Sequence, residues 1–140
     1  MNSIRNPLRR AMTFSAVIAL AALVAACSSS TSSGDDGNTG GGTIAVTDGV
    51  VELSAADLAF DASVIQATAG EAFTISFANN DTAPHNVAIY TEEGGEEIVK
   101  GEVIDGGATI EIEVPAQEAG EYYFVCDVHP DMNGTLVVEG

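Results

Sequence analysis

One stretch near the end of the chain decides both the fold and the chemistry: residues 122–132 read YYFVCDVHPDM. In an extended strand, every second residue from Tyr122 to Cys126 faces the same side, so the cysteine turns inward together with two aromatic rings. A thiol, an imidazole and a thioether then follow at steps of three, and Pro130 argues against a helix. The stretch therefore predicts a strand that ends in a tight loop closing on one point. The donors on that loop are Cys126, His129 and Met132.

A single upstream histidine, His85, completes this set of donors. Beyond residue 26 the chain holds two histidines and one methionine, and all three belong to the set. Two imidazoles, a thiolate and a weak axial thioether are typical of electron-transfer copper sites, whereas zinc prefers four strong ligands and calcium binds only oxygen. We therefore predict one copper ion per chain. Its ligands are His85, Cys126, His129 and Met132.

The region around these motifs has the pattern of short β-strands. Apolar and polar residues alternate at 73–77 and 110–114, which predicts strands with one buried face. Seven or eight short strands, with turn signals between them and no helical period, predict an all-β Greek-key β-sandwich. Seven predicted strands are one bent strand through 51–53 and 58–60, 64–67, 73–77, 86–90, 110–114, 122–126 and 136–138. The segment 43–46 would be an extra edge strand, and 98–104 would pair only weakly.

Two motifs together resemble the cupredoxin family of type 1 copper proteins. Residues 81–87 read DTAPHNV, and 41 residues after that histidine comes the cysteine of YYFVC and the CDVHPDM loop. The resemblance covers residues 51–140. The short ligand loop is similar to that of the amicyanin subfamily, with a gap before the methionine shorter than in plastocyanin.

The resemblance implies a role for each donor residue. His85, Cys126 and His129 would lie in the copper plane and Met132 on its axis. The protein would then carry single electrons between redox partners. His129 would be the ligand that faces solvent, and partners would dock on the apolar residues around it. Those residues are Ala83, Pro84 and Pro130.

One position departs from the nearest subfamilies. Amicyanin and plastocyanin have a proline just before the second histidine, whereas this chain has Val128. We therefore predict that the Cys126 sulfur receives two backbone N–H groups, from Asn86 and Val128, where those relatives have one.

The N-terminal region predicts export. Three arginines precede an apolar run from residue 11 to residue 26, which is typical of a signal peptide over residues 1–26. Cys27 directly after small residues resembles the lipidation site of bacterial lipoproteins, and residues 27–42 would form a lipid-anchor cysteine with a flexible Ser/Gly linker. The predicted cupredoxin domain is residues 43–140. An ordinary signal peptide with an incidental Cys27, or a true membrane span, are the alternatives.

Charge and composition limit the classes of partner that this protein could bind. Without residues 1–26, the chain has 21 acidic residues and one basic residue, Lys100, which gives it a formal charge of −20. Such a surface excludes nucleic acid and anionic lipid headgroups as partners. It suits a basic partner or a salty medium, or is simply a solvated face. We expect a monomer that is held outside the cytoplasmic membrane or in the periplasm through lipidated Cys27.

Other functions fit the composition less well. A copper enzyme would need a second metal site or an open coordination position, and the chain has no histidine left to build one. With Cys27 lipidated, Cys126 is the single thiol, so neither a disulfide nor a binuclear copper site is expected. Copper delivery is the main alternative to electron transfer. A metal-free structural sandwich comes last.

Overall fold

The computed structural model describes residues 41–140. The predicted signal peptide at 1–26, the predicted anchor Cys27 and the predicted linker as far as residue 40 lie outside the described residues. Residues 41–140 contain no helix that is both long and apolar enough to cross a membrane.

Ten strands form two sheets. The first sheet has the order β1-β4-β10-β9-β6-β7, and the second has the order β3-β2-β5-β8. Most pairs are antiparallel, but β4 pairs in parallel with β1 and β10, and β2 with β5. The strands are β1 (Thr43–Ala45), β2 (Val50–Ala56), β3 (Ala59–Phe60), β4 (Val64–Thr68), β5 (Phe73–Asn79), β6 (Ala88–Tyr90), β7 (Glu97–Lys100), β8 (Thr109–Val114), β9 (Gly120–Cys126) and β10 (His129–Glu139).

The predicted all-β sandwich is confirmed, and its two-sheet order is consistent with a Greek key, but the structure has more strands than the seven or eight predicted. The predicted bent strand at 51–60 is a hairpin of β2 and β3. Asp57 and Leu58 have φ angles of 52° and 59° and form a two-residue turn of type I′ between the paired Ala56 and Ala59. A leucine in this conformation is rare, which is why the sequence did not signal the turn.

The core lies between the two sheets and follows the predicted alternation. Along β5, Phe73, Ile75 and Phe77 are buried while Thr74 and Ser76 are partly exposed. Three aromatic rings then join the sheets. The ring of Phe60 lies 6.1 Å from Phe77 in its own sheet and 5.4 Å from Phe124 of β9 in the opposite sheet. Such a contact fixes β9, and hence Cys126 at its end, against the second sheet.

A side-chain hydrogen bond stabilises the start of β9. The Tyr122 hydroxyl donates a hydrogen bond of 2.9 Å to the carbonyl of Glu118, four residues upstream. This local bond resembles the tyrosine corner of other β-sandwiches, and it anchors the loop that leads into the strand.

The last strand begins earlier than the predicted 136–138 and contains a bulge. Cys126 pairs with His129, but the preceding residue, Val125, pairs with Asn133. Residues 130–132 are therefore inserted into the ladder. A bulge re-aims side chains, and here Pro130 and Asp131 are exposed while Met132 is 1% exposed.

Candidate metal centre

Three donor atoms converge at one end of the sandwich. His85 Nδ1 lies 3.6 Å from Cys126 Sγ and 3.1 Å from His129 Nδ1, and Sγ lies 3.9 Å from His129 Nδ1. A point equidistant from the three atoms is about 2.1 Å from each. In zinc sites, metal bonds to imidazole measure roughly 2.0–2.1 Å and bonds to thiolate about 2.3 Å. The triangle therefore has the size that one transition-metal ion requires.

Two elements deliver two of these donors. Cys126 is the last residue of β9 and is fully buried. A two-residue turn at Asp127 and Val128 then reverses the chain, and His129 opens β10 as the partner of Cys126. Because the turn is this short, the thiol and the imidazole cannot separate without breaking the hairpin.

The third donor is fixed by its backbone. His85 exchanges hydrogen bonds with Ile104, at 3.0 Å through its N–H and 2.8 Å through its carbonyl. The loop before it is folded around Asn79, whose amide donates to the carbonyls of Ala83 at 2.8 Å and Ile104 at 3.0 Å. The loop that carries the His85 donor is thus joined to the neighbouring loop by both sets of hydrogen bonds.

A carboxylate orients the His85 ring. Nε2 lies 3.1 Å from Asp81 Oδ2, so it is the protonated nitrogen, and Nδ1 presents its lone pair to the centre of the triangle. Asp81 also accepts the N–H of Leu58 at 2.8 Å and that of Thr82 at 2.6 Å. The hydrogen bonds from Leu58, His85 and Thr82 hold the pKa of Asp81 far below its ordinary range, so it is ionised at neutral pH.

The two histidines differ in exposure. The His85 side chain is fully buried, whereas His129 is partly exposed. Its chain neighbours Val128, 46% exposed, and Pro130 are both at the surface. Pro84 is also exposed and Ala83 half-buried. His129 is thus the donor residue with access to solvent, and the residues expected to ring it are surface or near-surface residues.

Met132 lies in the same buried cluster as Cys126 and Ile104. Its position on the bulge of β10 turns its side chain into the core. Its role as the axial ligand remains a prediction.

The donor set favours a soft or borderline transition metal. A buried thiolate with two imidazoles suits copper or zinc, and it does not suit calcium or magnesium, which take oxygen ligands. The family model of the cupredoxin-like domain matches residues 16–138. The chain belongs to the cupredoxin family.

Individual relatives agree with this assignment. The chain is 28% identical over 130 residues to amicyanin-alpha of Methylorubrum extorquens, covering 93% of this chain and 99% of that protein. It is 37% identical over 71 residues to the amicyanin of Paracoccus versutus, covering 51% of each. Among solved structures, it is similar to auracyanin A, a "blue" copper protein of Chloroflexus aurantiacus, with a TM-score of 0.58 and 25% identity over 67% of this chain and 98% of that one.

This cupredoxin also has a polar cluster that the sequence did not reveal. Asn86 and Asp127, the residues after His85 and Cys126, are joined twice: Asn86 Nδ2 donates to Asp127 Oδ2 at 2.7 Å, and the Asp127 N–H donates to Asn86 Oδ1 at 2.9 Å. Partial burial opposes ionisation of Asp127, but hydrogen bonds from Asn86, Tyr90 and Lys100 keep its pKa below its ordinary value. The one available signal was that both residues directly follow a predicted ligand.

Proposed function

We propose that this cupredoxin binds one type 1 copper ion and carries single electrons between redox partner proteins. One observation carries the proposal, namely the convergence of His85 Nδ1, Cys126 Sγ and His129 Nδ1 within a triangle of the size of one metal ion. Met132, which is 1% exposed, would be the fourth ligand. When bound, copper would supply the one-electron couple.

The chain's own contribution is to hold the donors still. A thiolate and two imidazoles are acceptable to both oxidation states of copper, and little motion is needed if the protein fixes them. The hairpin at Cys126 and His129, the backbone bridge at His85 and the bond from Asp81 to the His85 ring supply that rigidity. Rigid ligation favours electron transfer over catalysis, so we propose a carrier and not an enzyme.

The same geometry supports a docking site. His129 is the partly exposed donor, and its neighbours Val128 and Pro130 lie at the surface. We propose that redox partners contact this surface, together with Ala83 and Pro84, so that electrons pass through the His129 ring. We further propose that the protein works as a monomer outside the cytoplasmic membrane, anchored through Cys27, as the N-terminal sequence predicts.

Absorption and electron paramagnetic resonance spectra with one equivalent of Cu(II) test the copper site. We expect an intense visible thiolate-to-copper band that disappears on reduction and returns on reoxidation. Cys126→Ser should abolish the band, while Met132→Leu should keep it and change the reduction potential, because only the cysteine provides the charge-transfer donor. Colourless, weakly bound Cu(II) with tight Cu(I) would contradict electron transfer and favour copper delivery.

A further inference from the structure

A cluster of side chains beside the copper ligands collects around one carboxylate. Asp127 Oδ2 accepts from Asn86 Nδ2 at 2.7 Å and lies 3.3 Å from Lys100 Nζ, and Oδ1 accepts from the Tyr90 hydroxyl at 2.8 Å. Three donors from three segments thus meet at the residue that follows Cys126. Glu97, 3.3 Å from Lys100 Nζ, closes the cluster on its outer side.

The cluster links the segments that carry two ligands. Asn86 follows His85, is 1% exposed, and donates a second hydrogen bond to the carbonyl of Gly101 at 3.2 Å. Tyr90 is the last residue of β6, and Lys100 is the last residue of β7 at the edge of the first sheet. The bonds of the Asp127 carboxylate therefore connect the turn after Cys126 to that edge. A movement of Cys126 relative to His85 would have to break several of these bonds together.

The placement of Lys100 is informative because positive charge is scarce. Residues 41–140 hold nineteen acidic residues and one basic residue, which is Lys100. Lys100 forms an ion pair with Asp127, the residue directly after Cys126, although the region has many other carboxylates with which a lysine could pair. An uncompensated negative charge at Asp127 would stabilise the more positive, oxidised metal, so Lys100 opposes this effect.

We propose that Asp127 and Lys100 are positioning residues for the copper site, a role that rests on the proposed function. Asp127 fixes the Cys126 turn through Asn86 and Tyr90. Lys100 neutralises the Asp127 carboxylate and thereby raises the reduction potential. The two roles are separable, since one depends on hydrogen bonds and the other on charge.

Substitutions at Asp127 separate the two roles. Asp127→Ala removes every bond made by the Asp127 side chain. We therefore expect a shifted thiolate-to-copper band and loss of copper to a chelator at least about tenfold faster, in line with the roughly 10–100-fold losses of metal affinity that follow removal of partners of metal ligands. Asp127→Asn keeps a planar group that can bond Asn86 and Tyr90. We therefore expect it to retain the wild-type band and loss rate but to have a higher reduction potential.

Substitution of Lys100 tests the charge role. In Lys100→Gln, the oxidised form should be favoured about threefold relative to wild type, a potential lower by roughly 30 mV for a one-electron couple. The double variant Lys100→Gln with Asp127→Asn should return to near the wild-type potential. Glu97→Gln is the matched control, because it changes the outer partner of Lys100 and leaves the pairing with Asp127 in place, so its potential should stay closest to wild type.

The outcomes distinguish a failure of the proposed function from a failure of this inference alone. A wild-type protein without the thiolate-to-copper band overturns the proposed function and this inference with it. If the wild-type protein shows the band, two results overturn only the inference. One is that Asp127→Ala keeps the wild-type band and loss rate, and the other is that Lys100→Gln shifts the potential no more than Glu97→Gln does. Thermal unfolding of the metal-free variants identifies a purely structural role for the cluster. In that case the metal-free variants lose stability, while the copper-loaded variants keep the wild-type band and potential.

Discussion

At the scale of single residues, the turn between the donors Cys126 and His129 is where this chain differs from the amicyanin and plastocyanin loops that it otherwise resembles. Val128 occupies the second turn position and is 46% exposed, so its side chain contributes little to packing. The feature that matters is its backbone N–H, which we predict to donate to the Cys126 sulfur together with that of Asn86. Hydrogen bonds to a ligating thiolate raise the reduction potential, because they stabilise the charge on sulfur.

We expect Val128→Pro to lower the reduction potential by roughly 40 mV. This corresponds to a hydrogen bond of about 1 kcal/mol acting on one oxidation state of a one-electron couple. Val128→Ala, which keeps the N–H and loses only exposed side chain, should keep the wild-type potential. Protein-film voltammetry provides the measurement. An unchanged or higher potential in a folded Val128→Pro variant would contradict the predicted bond.

Asp81 gives the metal-free protein a pH-dependent stability. Its pKa is lowered by the bonds from Leu58, His85 and Thr82, so the ionised form favours the folded state. The stabilisation is fully present above the ordinary aspartate pKa of about 3.9 and is lost as the pH falls through the lower folded value. Urea unfolding of wild type and Asp81→Asn should therefore differ at neutral pH and converge in acid. Asp105→Asn, an exposed aspartate, is the control, and an equal loss there would contradict the assignment.

The donor residues could be predicted because their types are rare. With two histidines and one methionine beyond residue 26, the sequence left no other imidazole or thioether to choose. Asp81 and Asp127 could not be predicted in the same way. They are two of 21 acidic residues, and the one signal that set either of them apart from a carboxylate facing water was the position of Asp127 directly after Cys126.

At the scale of elements, two short turns show why strand boundaries were harder to predict than strands. Asp48 and Gly49 form a turn with φ angles of 52° and 79° before β2, and Asp57 and Leu58 form one of the same kind after it. The first has the Asp-Gly pair that such turns prefer. The second has an exposed leucine in a conformation that costs an ordinary residue about 1–2 kcal/mol.

The two turns provide a matched pair of substitutions. Gly49→Ala should destabilise the fold by about 1 kcal/mol from backbone strain alone, because nothing lies within 4 Å of the added carbon. Leu58→Gly should leave stability unchanged or raise it by up to about 1 kcal/mol, since relief of strain exceeds the entropy that glycine adds to the unfolded chain. Equilibrium unfolding in urea measures both. A clear loss of stability in Leu58→Gly would show that its side chain supports the fold.

At the scale of the whole molecule, the balance of charge has consequences that no single contact shows. The region 41–140 has nineteen carboxylates against Lys100, and that lysine is already held by Glu97 and Asp127. The remaining carboxylates repel one another across the surface. Folding brings them closer than they are in the unfolded chain, so self-repulsion opposes the folded state.

Salt should therefore stabilise this cupredoxin. Raising NaCl from about 0.1 M to about 1 M shortens the screening length from roughly 10 Å to 3 Å, and the thermal midpoint of the metal-free protein should rise. Replacing Glu92, Glu93 and Glu96 of the β6–β7 connection by glutamine should raise the midpoint at low salt and flatten its dependence on salt. A midpoint independent of salt in the wild type would show that repulsion is already relieved. The acidity would then be explained better by a basic redox partner, whose association rate should fall steeply as salt increases.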